Sequence, residues 1–338
     1  VRTPLISVLI PMYNAGHGVR LTLESLHGQT RENFEVVIVD DGSQDDSVEI
    51  ARHTYPEARI FHQPENLGIT AALNAGLAHC RGVLIARIDC FDQAYPSRFD
   101  LQVRALKKHP DWAAVGGHVM LYEQDGRDLG ISRYPLDPLE VVRELRRGHS
   151  SLPHSGAMIR KEALLAVGGY DPFFKATEDY DLWCRLSLVA PLANVDALVT
   201  RNLSAAEGLS FPGAIYAPYM ELARLERRER ADKGLEWKNA ALRQRCLEQV
   251  WAIQSQPDTP RRRRAQRAAF HARRAGQLLR SGERKAALSE YLECISYNAS
   301  HLRGWLGLLS AALLPHSLYR RLLDGYKRAR STALEREA

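Results

Sequence analysis

The sequence has no CxxC pair. Its five cysteines (Cys80, Cys90, Cys184, Cys246 and Cys294) are widely spaced and odd in number, which supports neither a zinc knuckle nor a disulfide framework. A reducing cytoplasm is the simplest compartment. No apolar run reaches about 18 residues, so no transmembrane helix is expected. Val1-Arg2-Thr3-Pro4 carries no signal-peptide pattern and leads straight into a strand. No Gly-rich basic loop follows that strand to cradle a nucleoside triphosphate, which argues against a nucleotidyltransferase. The basic run Arg261–Arg264 has no interleaved aromatics, so it reads as a solvated linker and no nucleic-acid partner is expected.

What remains is an ordinary globular composition, 45% hydrophobic and 25% charged over 338 residues, enough for a large domain and a smaller one. The net charge of +6 is unevenly spread: residues 214–338 hold 25 Lys and Arg against 13 Asp and Glu. That basic half can meet an anionic surface.

The first two hundred residues alternate between strand and helix patterns. Leu5–Ile10 and Glu35–Val39 are short β-branched runs, Arg59–His62 is a third, and Gly82–Ile88 a fourth. Helical spacing lies between them, over 18–28, 45–54 and 70–80, with Ser43 or Asp45 as cap of the second. Further on, helices are expected at 97–108, 137–148 and 178–188, and strands at 113–121, 154–159 and 195–199. This alternation predicts an α/β fold with a mostly parallel sheet flanked by helices on both faces. Ligands of such sheets sit outside the carboxyl ends of the strands. Those ends carry Pro11-Met12-Tyr13-Asn14, Asp40-Asp41-Gly42-Ser43 and Asp89-Cys90-Phe91-Asp92. From about residue 214 the pattern is helix only, with a long segment at 216–254, a linker near 256–264, a helical hairpin over 265–297, an apolar segment at 302–314 with Trp305, and, after Pro315, a basic amphipathic segment at 317–330.

Each cluster has a plain and a chemical reading. Tyr13 and Asn14 offer a ring and an amide to a nucleobase; the plain reading is a strand-end turn. The Asp41 carboxylate can accept the N3–H of uracil, or serve a turn with a helix cap. Asp89 can hold a ribose or a cation-bound water; Asp92 either joins it or caps the helix after Pro96. Glu178 and Asp179 open a helix, where they meet the helix dipole or provide a general base. A helix N-terminus lowers a carboxylate's pKa, so the base is expected to be weak but ionised. Trp183 is core or a sugar-stacking platform, His154 is structural or reaches the acceptor pocket, and Arg201 is a surface cation or meets phosphate.

Taken in order, Pro11-x-Tyr13-Asn14, Val39-Asp40-Asp41-Gly42-Ser43, Asn66-x-Gly68 with Asn74-x-Gly76, Arg87-x-Asp89, Gly168-Gly169-Tyr170-Asp171 and Glu178-Asp179-Tyr180-Asp181-Leu182-Trp183 resemble glycosyltransferase family 2 over residues 4–212. The resemblance implies a GT-A, Rossmann-like domain at 1–213 with an all-helical C-terminal domain at 214–338. It implies an inverting transferase that moves a sugar from a nucleotide-diphosphate donor, a UDP-sugar or a similar nucleotide sugar, to a glycan or lipid-linked acceptor. Pro11, Tyr13, Asn14, Asp41, Asn66, Gly68, Asn74, Arg87 and Asp89 then bind the donor. Asp179 is the base with Glu178 beside it, and His154 and Trp183 stand on the acceptor side.

Two departures from the family pattern bear on the metal. Its Asp-x-Asp motif calls for an acidic residue at position 91, which is Phe91, and a histidine often found near Arg201 is absent. Both weaken a Mn²⁺ or Mg²⁺ site, leaving Asp89 and Asp92 as the metal candidates. They also keep a second reading open, a catalytically impaired nucleotide-sugar-binding or scaffold protein. By analogy with the family, the expected location is cytoplasmic and peripheral on the inner face of the cytoplasmic membrane. Residues 302–330 would then lie on an anionic membrane surface, with Arg320, Arg321, Lys327 and Arg328 toward the lipid phosphates.

Overall fold

The computed structural model describes residues 3–175, 177–204 and 216–255, with part of 264–312. In chain order the elements are β1 (Ile6–Met12), α1 (His17–His27), β2 (Phe34–Asp40), α2 (Ser47–Thr54), β3 (Arg59–His62), α3 (Ile69–His79) and β4 (Leu84–Arg87). Then come β5 (Gln93–Ala94), α4 (Arg98–Lys108), β6 (Ala114–Tyr122), β7 (Asp128–Ser132), α5 (Pro138–Arg146), β8 (Met158–Arg160) and α6 (Lys161–Ala166). The chain continues through α7 (Glu178–Val189), β9 (Leu192–Leu203), α8 (Tyr216–Lys233), α9 (Ala240–Gln254) and α10 (Arg284–Tyr297).

The nine strands of the described residues form one sheet, ordered β3-β2-β1-β4-β8-β6-β9-β5, with β7 paired to β6. The α/β expectation holds, but the sheet is mixed rather than mostly parallel. β3, β2, β1 and β4 run parallel, as does β6 with β9. The β4–β8, β8–β6, β6–β7 and β9–β5 pairs are antiparallel. Hydrophobic runs report burial and not strand direction, so this half of the topology was not in the pattern.

Alternation along the central strands divides the core between the two faces. Leu9, Val37, Val39 and Ile85 pack with Leu73 and Leu77 of α3 and with Tyr180 and Trp183 of α7. Val8, Ile10, Val36, Ile38 and Ala86 pack with Val19 and Leu23 of α1 and with Phe99 and Val103 of α4. Covered on both faces, β1 and β2 are continuous apolar runs, as buried parallel strands are.

The segment at 216–254 is two helices rather than one. Gly234, with φ +93°, ends α8, and the Asn239 side chain accepts the Leu242 N–H at 2.9 Å to start α9. Tyr219, Leu222 and Ala223 of α8 and Cys246 and Val250 of α9 join the first core. The expected linker at 256–264 and most of the stretch at 302–330 lie outside the described residues. Among the described residues no helix is long and apolar enough to cross a membrane.

Candidate active site

Three strand-end loops meet as a rim. After β1, the Asn14 N–H donates to Ser43 Oγ at 2.9 Å, and the Gln44 N–H donates to Asn14 Oδ1 at 2.8 Å. The Ala15 and Gly16 N–H groups both donate to Ser47 Oγ at 2.8 Å. These bonds lock the loop at 11–16 onto the loop at 40–47. The third loop joins through the Phe91 N–H to Gly18 O at 3.0 Å, Thr22 Oγ1 to Asp89 O at 3.1 Å and Cys90 Sγ to Pro11 O at 3.6 Å.

Within this rim the sequence candidates take different parts. Tyr13 is 43% exposed, so its ring is open to a ligand. Asp41 is buried, and its two oxygens accept the Leu67 and Gly68 N–H groups at 2.9 and 2.8 Å. Asn66 Oδ1 accepts the same Gly68 N–H at 3.0 Å. Asp41, Asn66 and Gly68 thus build the loop at 66–68.

Arg87, 1% exposed, ends β4 beneath the rim and places Nη2 2.5 Å from Asp89 Oδ1. Burial pushes its pKa down, but the Asp89 charge and hydrogen bond outweigh that and hold it above the usual value. Beside it the buried Arg98 has no such partner, and burial with the Arg87 charge lowers it to about 9. Arg98 Nη2 instead donates to the carbonyls of Arg87 at 2.7 Å and Ala157 at 3.2 Å.

Asp92 does not cap the helix after Pro96. It is buried against β9, where Oδ1 accepts the Leu203 N–H at 2.9 Å. Burial, and then the Asp89 charge, raise it to about 8. Among the described residues no three His, Cys, Asp or Glu side chains converge as a metal-binding group. Asp89 is taken by Arg87, Asp92 is turned to Leu203 and residue 91 is aromatic. These residues do not assemble the oxygen cage of Mn²⁺ or Mg²⁺.

The facing wall is built by the turn at 168–171 and the start of α7. Gly169 has φ +70°, and a β-carbon there would come within 2.8 Å of Asn74 Oδ1, so only glycine fits. Asn74 Nδ2 donates to Tyr170 O at 2.8 Å, and the Tyr170 N–H returns to Asn74 Oδ1 at 2.9 Å. Asn74 therefore joins α3 to the facing wall. The Tyr170 hydroxyl lies 3.0 Å from His154 Nε2, and His154 Nδ1 lies 3.6 Å from Glu178 Oε1. Burial, with Arg87 adding to it, drives the His154 pKa well below its usual range, so the ring is neutral. Trp183 is fully buried with its ring edge toward His154, 6.1 Å between centroids. It is core behind this wall, with no open face on which a ligand could stack.

Glu178 is buried and Asp179 half-buried, with Asp179 Oδ1 accepting the Tyr180 N–H at 2.7 Å. The expected depression of their pKa values does not occur. Burial, and next the Asp179 charge, lift Glu178 to about 8. Burial raises Asp179 against the pull of the Tyr180 N–H and Arg87. Desolvation outweighs the helix end here. Arg87 acts on Asp89, Glu178 and Asp179 alike, which sets both walls around one charge.

Sequence reasoning missed Tyr134, which burial raises to about 12 and which senses both Asp179 and Asp92. It also missed the Tyr122 hydroxyl, which donates to Phe91 O at 2.6 Å. Neither tyrosine sits in a motif; the folding of β6 and the loop before α5 brings them in. Arg201 pairs with Asp128 at 2.7 Å and lies 4.1 Å over the Tyr122 ring.

A sheet with this rim and a carboxylate pair across from it defines a GT-A glycosyltransferase fold. The sequence model of glycosyl transferase family 2 matches residues 7–168. The amylovoran biosynthesis glycosyltransferase AmsE of Erwinia amylovora is 32% identical over 197 residues, which are 56% of this chain and 73% of that protein. The uncharacterized glycosyltransferase YibD of Escherichia coli is 41% identical over 115 residues, 33% of each chain. Among solved structures, S. aureus TarS in complex with UDP-GlcNAc superposes with a TM-score of 0.57 at 16% identity, covering 90% of each chain. The mannosyltransferase PcManGT of Pyrobaculum calidifontis, in complex with GDP-Man and Mn²⁺, gives 0.52 at 17% identity, covering 93% of this chain and 88% of that one. The chain belongs to glycosyltransferase family 2 and is a transferase enzyme.

Proposed function

We propose that the chain is an inverting transferase that moves a sugar from a UDP-linked donor to a hydroxyl of a glycan or lipid-linked acceptor. The observation that carries this is the half-buried Asp179 carboxylate, which feels the charges of both Arg87 and Asp89 of the strand-end pair. Donor contacts fall to Tyr13, Asn14 and Asp89, with Pro11, Asp41, Asn66, Gly68 and Arg87 shaping the rim. Asp179 takes the acceptor proton as the oxygen attacks the anomeric carbon. The bond from that carbon to the diphosphate breaks on the opposite side, and the nucleoside diphosphate leaves with the electron pair. Glu178, His154 and Tyr170 support the base, and Asn74 holds the two walls in register.

The UDP-GlcNAc complex of TarS and the GDP-Man complex of PcManGT support a nucleotide-sugar donor, and AmsE supports cell-envelope polysaccharide as the setting. We read residues 1–213 as the catalytic unit, residues 214–338 as a helical unit, and the location as cytoplasmic, peripheral at the inner membrane face. The second reading, a catalytically silent nucleotide-sugar binder, is favoured by Phe91.

Calorimetry with a panel of nucleotide sugars, run beside transfer assays on Asp179→Asn, decides between them. The expected result is UDP-sugar binding unchanged in the variant and turnover lowered by about 10²- to 10⁴-fold. Binding with no turnover in either protein would establish the silent binder.

A further inference from the structure

Phe91 holds a left-handed backbone, with φ +75°. An aromatic residue in that region costs roughly 1–3 kcal/mol and persists only where its surroundings fix it. They do so on every side. Its N–H donates to Gly18 O at 3.0 Å, and its carbonyl accepts the Tyr122 hydroxyl at 2.6 Å. Its ring lies on Gly18, where a β-carbon would come within 2.5 Å of three ring atoms. Tyr122 is itself held by the Arg201 guanidinium over its ring, and Arg201 is tied to Asp128. Elements α1, β6, β7 and β9 therefore brace this one turn.

In the turn so braced, the carboxylates already have protein partners. Asp89 is on Arg87, and Asp92 accepts from the Leu203 N–H. Beneath the rim lies the Arg87 guanidinium, paired with Asp89 through Nη2 and with its buried Nε and Nη1 holding no hydrogen-bond partner. A divalent cation bound between protein oxygens and a diphosphate would both neutralise charge and order its loop. Here protein atoms do the ordering and a guanidinium supplies the charge.

We propose that Phe91 makes this donor site cation-independent: the turn at 89–92 is pre-assembled by Gly18, Tyr122 and Arg201, and a nucleoside diphosphate binds beside Arg87 without a divalent ion. The proposal rests on the donor reading above and deepens it.

The test is calorimetry with UDP and GDP, each in EDTA and in MnCl₂, on the full chain and on Phe91→Asp and Phe91→Gly. The wild-type affinity is expected to differ by less than about twofold between the two buffers, a fraction of 1 kcal/mol. Phe91→Asp, which restores a carboxylate, is expected to bind about tenfold or more tightly with Mn²⁺ than in EDTA. Phe91→Gly, which relieves the backbone without adding a ligand, is expected to stay indifferent to Mn²⁺. Wild-type binding that is lost in EDTA and restored by Mn²⁺ overturns the proposal. A folded Phe91→Asp variant with no Mn²⁺ response overturns the assignment to Phe91. If neither nucleotide binds in either buffer, the donor reading fails on its own. The paramagnetic resonance of Mn²⁺ mixed with wild-type protein alone then reads the turn by itself: a free-ion spectrum supports its lack of a cation site, and a bound-ion spectrum overturns it.

Discussion

Asn74 and Tyr170 hold each other through two hydrogen bonds, side-chain amide to backbone in both directions, at 2.8 and 2.9 Å. One end of this clasp is on α3, directly after the loop that Asp41 organises. The other is in the turn that leads to Glu178 and Asp179. With Thr70 Oγ1 of the same helix donating to Phe174 O at 3.3 Å, this amide ties the loop at 66–68 to the segment that leads into α7.

Asn74→Ala should leave the Tyr170 N–H and carbonyl unpaired in a tight turn. A loss of about 1–3 kcal/mol is expected, read as a lower denaturant midpoint at unchanged slope. Turnover should fall by more than donor affinity does, because the rim stays intact while the base moves. Asn74→Asp keeps the acceptor but not the donor, and it should fall between the two proteins in both measurements.

Glu178 links stability to pH. Its folded pKa, about 8, lies above the ordinary value of 4.5. The folded state therefore holds a proton that the unfolded chain has already released between these limits. Its favourable contribution is complete below pH 4.5 and is lost as pH rises through 8. Glu178→Gln cannot ionise and escapes that loss. The variant should gain on the wild type across this window, by on the order of 5 kcal/mol at most, and then run parallel. Thermal unfolding from acid to alkaline buffer reads the effect, and a constant difference at every pH would contradict it.

Arg243 bridges two carboxylates, Asp171 in the glycine turn and Glu226 on α8, at 2.7 Å to each. Its guanidinium also stacks on Phe173 at 4.6 Å. Arg243→Met keeps the stem and removes the charge, leaving two buried acids with one fewer partner. A cost of about 3–5 kcal/mol is expected. Adding Asp171→Asn should recover part of it, and a strictly additive double variant would show that the bridge carries no coupling.

The motifs marked the rim in sequence because they are local: each sits at a strand end, and parallel β1, β2 and β4 bring those ends together. Asp89 lies at such a strand end, whereas Glu178 and Asp179 were legible only as the start of α7. Tyr134 and Tyr122 were not, since they enter from β6 and the segment before α5, whose partners depend on sheet order. Strand β7 escaped notice because Asp128-Leu129-Gly130-Ile131-Ser132 has two apolar residues and a glycine. The raised pKa values of Glu178 and Asp179 also lay outside the pattern. A helix start can be read from residues, but the desolvation that overrides its dipole comes from the packed wall. Trp183 shows the converse, since its spacing fits both a platform and a core and only burial separates them.

The ion cluster behind α7 has a practical consequence for swapping sequence between relatives. Asp181 is paired with Arg185 and with Arg230 of α8, and Arg230 shares Glu226 with Arg243 of α9. A hybrid spliced at the end of β9 would inherit acids from one parent and their counter-ions from another. The natural crossover point therefore falls after Gln254, so that α8 and α9 travel with the half that carries α7.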